Sequence, residues 1–386
     1  MAFPASMHHS EFSGRVDVTA PWVKVWLWGL AALVIAMVMV GGATRLTGSG
    51  LSITQWQPIT GALPPLSQAD WFAAFARYQG SPQYHLLNEG MSLPSFKAIY
   101  WWEWSHRQLG RFIGLVFALG FVAGLVGRAF PWRVGVKLAA MGVLLAAQGL
   151  VGWIMVASGL KPGMSAVEPV DLAAHLLLAS LFLASLVAMA SAGEVAPALD
   201  TDARSGTARP VGAAAIALLL FCVILLQITL GALVAGSHAG LVDNTWPDMD
   251  GRVVPPFSEL FAASPWWINV FENTTLIQLD HRIVAYLALA LALWNAIRWA
   301  KAGSDTAPRR LAFVLAALVV AQLALGVATL IFAAPPAMAL AHQFMAMLVL
   351  VAATRLVMLS RRRYAAAEGS ALAASASPLA AHVATR

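Results

Sequence analysis

A chain of 386 residues that is 60% hydrophobic and only 11% charged is not an ordinary soluble globular protein, in which about 25% of residues are charged. Its net charge of +6 would suit nucleic acid if the basic residues formed one patch, but they are dispersed among short segments between apolar stretches. The single cysteine, Cys222, excludes an intrachain disulfide.

The N-terminal tail, 1–21, carries one Arg with two acids, Glu11 and Asp17, unlike the Arg-rich, acid-poor mitochondrial presequence. Eight stretches then reach the roughly 20 apolar residues that a bilayer core requires: 22–42, 104–127, 134–156, 170–191, 211–234, 275–298, 311–333 and 336–359. The first is too long for the apolar region of a signal peptide and is followed by no clean cleavage site. Arg128, Arg133 and Lys137 flank one short loop, and Arg204 and Arg209 belong to a second connection. Arg298, Lys301, Arg309 and Arg310 flank a third, and Arg361, Arg362 and Arg363 follow the last span. The long segments 43–102 and 235–274 carry few basic residues, and the second is acidic through Asp243, Asp248, Asp250, Glu259 and Glu272. The positive-inside rule therefore predicts cytoplasmic termini and periplasmic long loops in a bacterial plasma (inner) membrane.

An internal repeat organises these spans. The stretch Gly42 to Leu51 is echoed by Gly231 to Leu241, and Trp56/Trp246, Gly61/Gly251 and Pro65/Pro255 follow at a constant offset of 190. Next, Trp104-Ser-His106-Arg107 pairs with Leu279-Asp-His281-Arg282, Gln148/Gly152 with Gln322/Gly326, and His175 with His342. The predicted fold is an all-α integral membrane protein of eight transmembrane helices, arranged as two tandem four-helix bundles. Four spans per copy, an even number, make the repeats parallel, related by an axis along the membrane normal. The predicted divisions are a cytoplasmic tail 1–21, a first half 22–191, a linker 192–210, a second half 211–359 and a cytoplasmic tail 360–386. A Gln followed one helical turn later by Gly recurs as Gln148/Gly152, Gln227/Gly231 and Gln322/Gly326. It reads either as helix packing or as contact with a cofactor edge.

Of the nine histidines, His8, His9 and His382 lie in the tails and His85 and His238 in outer loops. The other four, His106, His175, His281 and His342, sit on the second, fourth, sixth and eighth spans. All four spans run inward, and at ~1.5 Å per residue the histidines share a depth of about 8 Å below the outer boundary. Intramembrane polar groups are costly and usually functional. The second and fourth helices of a bundle can face each other, so His106 can meet His175, and His281 can meet His342. Most metal sites need three or four clustered ligands, whereas heme iron needs one or two axial histidines. Arg107 and Arg282, beside two of these histidines, are candidates for pairing with heme propionates. Glu103 lies three residues before His106, where the second half has Gln278. It reads either as a water-exposed interfacial acid or as a proton-handling group beside a reactive heme.

The run Gly41-Gly-Ala-Thr-Arg-Leu-Thr-Gly-Ser-Gly-Leu-Ser52 and the run Glu103-Trp-Ser-His-Arg-Gln-Leu-Gly-Arg-Phe-Ile-Gly114 resemble heme A synthases. The likeness extends through Gln278 to Arg282 and on to His342. It implies oxidation of a methyl of heme O to a formyl group, giving heme A for terminal oxidase assembly. It further implies that His281 and His342 ligate a resident heme b, that His106 and His175 belong to the substrate heme site, and that Glu103 is catalytic. Heme O and membrane lipid are the expected partners; a heme O synthase, an electron-transfer partner and a second copy of the chain are left open. Nucleic acid is not expected. The rival functions are a membrane b-type cytochrome, which would commonly stack hemes at two depths, and a heme carrier with no chemistry of its own.

Overall fold

The computed structural model describes residues 19–193, 212–301 and 307–383, with side chains described no further than 360. Most of the N-terminal tail, with His8 and His9, lies outside the described residues, as do most of the linker, with Arg204 and Arg209, and the side chains of Arg361 to Arg363 and His382. The described residues contain helices and no β-strand. In chain order these are α1 (Pro21–Leu46), α2 (Gln68–Gln79), α3 (Pro82–Leu87), α4 (Leu93–Val126), α5 (Trp132–Gly159), α6 (Pro169–Ala190) and α7 (Ala213–Gly236). After these come α8 (Phe257–Leu260), α9 (Asn269–Glu272), α10 (Thr274–Lys301), α11 (Ala307–Ile331) and α12 (Pro336–Val383). Eight of them, α1, α4, α5, α6, α7, α10, α11 and the Pro336–Ser360 part of α12, are long and apolar enough to cross a bilayer.

Local chemistry accounts for the helix starts. Pro21, Pro169 and Pro336 open α1, α6 and α12, where the missing N–H of proline leaves no intrahelical bond unmade. Ser67 and Asp70 form a reciprocal capping box at α2, and Ser92 accepts from the Ser95 N–H at the start of α4.

The spanning helices pack unequally. Helices α1, α6, α7 and α12 form the middle of the molecule: α1 meets α6 and α12, α6 meets α7 and α12, and α7 meets α12. On one flank α4 lies against α1 and α5 against α6; on the other, α10 lies against α7 and α11 against α12. The central helices are accordingly the most enclosed, and α5 is the least. Leu30, Leu183, Leu186, Leu220, Leu350 and Leu356 are fully buried between the central helices. Lipid tails are as apolar as these side chains, so close packing rather than exclusion from water holds the helices together. At Gly120 on α4 a Cβ would collide with the Trp26 indole, whose Nε1 donates to the Val116 carbonyl at 3.0 Å.

Helix α4 begins at Leu93, well before the predicted span at 104. A hydropathy count finds only the bilayer portion of a helix. The extra turns bury Phe96 and Tyr100 against Trp71, Phe75 and Tyr78 of α2, forming an aromatic cap at one end of the spans. Gln83 ties this cap down by donating to the carbonyls of Gly48 and Ser165. Helix α12 continues past 359 to Val383.

Candidate functional site

The four spanning histidines meet the chain in a common way. Each lies on the second helix of a consecutive pair of spans and packs on a glycine of the first: His106 on Gly41, His175 on Gly152, His281 on Gly231 and His342 on Gly326. A Cβ at these glycines would stand 3.0 Å from His106 Nε2, 2.8 Å from Cε1 of His175 and of His342, and 3.2 Å from Cε1 of His281. A side chain at Gly152 or Gly326 would force the imidazole to shift, and one at Gly41 or Gly231 would need it to give by a few tenths of an ångström. His106 lies in the neighbourhood of His175, and His281 in that of His342. His85, on α3, and His238, between α7 and α8, are exposed.

The recurrent glutamines touch the histidines themselves. Gln148 Nε2 lies 3.2 Å from His175 Nε2, Gln227 Nε2 lies 3.2 Å from both ring nitrogens of His281, and Gln322 Nε2 lies 3.3 Å from His342 Nε2. The sequence pattern marked the glutamines, but their partners emerge only when adjacent helices are aligned.

Glu103 is 3% exposed, which rules out a water-exposed interfacial acid. Its Oε1 pairs with Arg107 at 2.5 Å, and its Oε2 accepts from Ser52 Oγ at 2.8 Å and from the Ile53 N–H at 2.6 Å. A carboxylate has about four acceptor positions, so three donors leave room for one more. Gln278 occupies the matching place in the second half. It donates to the carbonyls of Ala239 and Val242 and accepts from Arg282 at 2.9 Å.

Both arginines are largely engaged by loop carbonyls. Arg107 donates to Ile53 and Gln55, and Arg282 to Asp243, Thr245 and Asp248. The turns that follow α1 and α7 direct their carbonyls toward the guanidinium groups, and a guanidinium with five N–H donors can satisfy several together. Arg282 Nε remains buried without a partner, and Arg107 faces a cleft that it shares with Arg77, Arg111 and Tyr100. The loop residues Ser52 and Ile53 were not legible as partners of Glu103, because nothing in their spacing marks a contact with the next span.

The donor set suits a heme. Each half presents two neutral-capable imidazoles from different helices, each seated in a glycine notch that a methyl group would fill. Among the described residues no group of three or more His, Cys, Asp or Glu side chains comes together to hold a bare metal ion. Buried, unpartnered polar atoms also cluster here: Nδ1 of His175 and His342, and Oε1 of Gln148, Gln227 and Gln322.

Comparison with known proteins gives a consistent picture. Residues 24–354 match the COX15-CtaA family, described as cytochrome oxidase assembly protein. A heme A synthase of Methylobacterium radiotolerans is 52% identical over 354 residues, covering 91% of this chain and 93% of the relative. A heme A synthase of a Methylobacterium species (strain 4-46) is 55% identical over 85% of this chain and 89% of its own length. One from Azorhizobium caulinodans is 49% identical over 86% and 92% respectively.

Proposed function

The chain belongs to the COX15-CtaA family of cytochrome oxidase assembly proteins, and from that premise we infer that it is a heme A synthase. It is an enzyme of heme A biosynthesis and a multi-pass membrane protein of the bacterial inner membrane. Its reaction is the oxidation of a methyl group of heme O to a formyl group. His106 and His175 take the substrate heme, and His281 and His342 hold a resident heme b. Both termini face the cytoplasm, and both heme sites lie toward the periplasmic side.

The observation that carries this reading is an asymmetry within a common frame. Both halves hold two histidines on glycine notches, and both place an arginine one turn after the Glu103/Gln278 position, yet only the first half has a buried carboxylate there.

When bound, the hemes supply the iron-centred redox chemistry of the oxidation. The chain's own residues have three tasks. The histidines orient each porphyrin by holding its iron from two helices. Arg107 and Arg282 fasten the outer loops over the sites, and their remaining N–H groups serve the propionates. Glu103 handles protons: converting a methyl to a formyl group removes two hydrogens from one carbon and adds an oxygen, so protons must be moved at the site. Its unused acceptor position can take one, while Arg107, Ser52 and Ile53 keep the carboxylate fixed.

The test is to purify the protein from cells supplied with heme O and to separate its extracted hemes. Formation of the formyl heme is expected. Recovery of unmodified heme O alone, with the protein intact, would support a carrier.

A further inference from the structure

The two halves meet along the four central helices, and their two equivalent contacts differ in chemistry. Helix α7 of the second half meets α6 of the first, and α1 of the first meets α12 of the second. The notch glycines Gly41 and Gly231 correspond, as do His175 and His342. Gly42 and Gln343, at the α1/α12 contact, therefore occupy the places of Ala232 and Leu176 at the α7/α6 contact. Leu176 and Ala232 share one apolar cluster. Gln343 instead donates through Nε2 to the Val38 carbonyl of α1 at 2.7 Å, and its carboxamide lies over Gly42, where a Cβ would collide with it.

Gln343 follows His342 directly in the chain, and the turn of α1 that it grips is the one that seats His106. In regular α-helical pairing the Val38 carbonyl also receives the Gly42 N–H, and the intervening Gly41 is the glycine on which His106 packs. Glycine has the greatest backbone freedom of any residue, so two in succession leave this turn to be fixed by its neighbours. A polar side chain within a span is costly unless it is bonded, and such groups join helices. Packing alone would be met by the leucine and alanine that serve at the α7/α6 contact. What Gln343 adds is a directed bond onto the turn beneath His106.

Given the assignment of the substrate heme to His106 and His175, we propose that Gln343 is a positioning residue for that heme, supplied by the second half: it holds the Gly41–Gly42 turn and so fixes the imidazole of His106. A helix that carries a ligand of the resident heme thereby aligns a ligand of the substrate heme. The reverse brace is missing, because the residue equivalent to Gln343 beside the His281 seat is Leu176, which has no group to donate.

The test is anaerobic optical titration with heme O of the purified full-length protein, holding its resident heme. Gln343→Leu is expected to weaken heme O binding about tenfold, the low end for groups that orient a metal-ligating histidine. The midpoint potential and low-spin electron paramagnetic resonance signal of the resident heme should not change. Gly42→Ala, which displaces the carboxamide, should produce the same loss. Combining Gly42→Ala with Gln343→Leu recreates the packing of the α7/α6 contact, so this double variant should fold normally and bind heme O no more weakly than either single variant. Unchanged heme O affinity in Gln343→Leu and in the double variant would overturn the proposal. So would a loss of resident heme as large as the loss of heme O binding, which would make Gln343 a general brace of the bundle. An unaltered protein that holds its resident heme but takes up no heme O would instead overturn the substrate-site assignment, and the inference with it.

Discussion

At the scale of single residues, the chemistry depends on small groups in confined places. Glu103→Gln would give the first half the amide that the second half already has. It is expected to lower heme A formation at least a hundredfold while leaving the resident heme b, and extraction of both hemes from the same preparation checks this. Glu103→Ala should be worse for a different reason. It strands the Arg107 guanidinium, which is mostly buried, and breaking such a pair costs about 3 kcal/mol, measurable as a lower melting temperature in detergent. The glycine notches grade in the order of their clearances. A Cβ at Gly152 or Gly326 would sit 2.8 Å from an imidazole carbon, against 3.2 Å at Gly231. Gly326→Ala should therefore perturb heme absorption more than Gly231→Ala, although alanine in an exposed helix interior would stabilise by about 1 kcal/mol. The four spanning histidines and the Glu103/Gln278 difference were legible in the sequence because a polar residue within an apolar span is conspicuous. The contacts of Gln148, Gln227 and Gln322 were not, since the same spacing also describes simple helix packing.

At the scale of elements, the spans could be located from apolar length alone, and α4 shows where that method stops. Its segment from Leu93 to Trp102 buries Phe96 and Tyr100 under α2, and a hydropathy count does not mark those turns as part of the same helix. The cap thus formed holds the loop that carries Ser52 and Ile53, the partners of Glu103. Gln83→Leu removes the donor to Gly48 and Ser165. It is expected to raise proteolysis of the 48–54 loop and to reduce heme A formation without loss of heme b. Helix crossing is set separately, by Gly120 and the Trp26 indole. Gly120→Val should displace Trp26 and cost about 1–3 kcal/mol, read as a lower melting temperature in detergent. The carbonyl partners of Arg107 and Arg282 could not be read in advance, because they depend on how the long loops turn back over the spans.

At the scale of the whole molecule, α1, α6, α7 and α12 form a shared middle, and the α4/α5 and α10/α11 flanks complete the two sides. Every histidine pair draws on one central and one flanking helix: α6 and α4 for His175 and His106, α12 and α10 for His342 and His281. The two sites are thereby built alike and differ in a few side chains, which is how one could keep a cofactor while the other turns over a substrate. The measurement that tests this division most directly is the heme content of purified His281→Ala and His106→Ala proteins, each isolated with heme O supplied. The account predicts that His281→Ala loses heme b, whereas His106→Ala keeps heme b and makes no heme A. Full heme b content in His281→Ala, or normal heme A formation in His106→Ala, would contradict it.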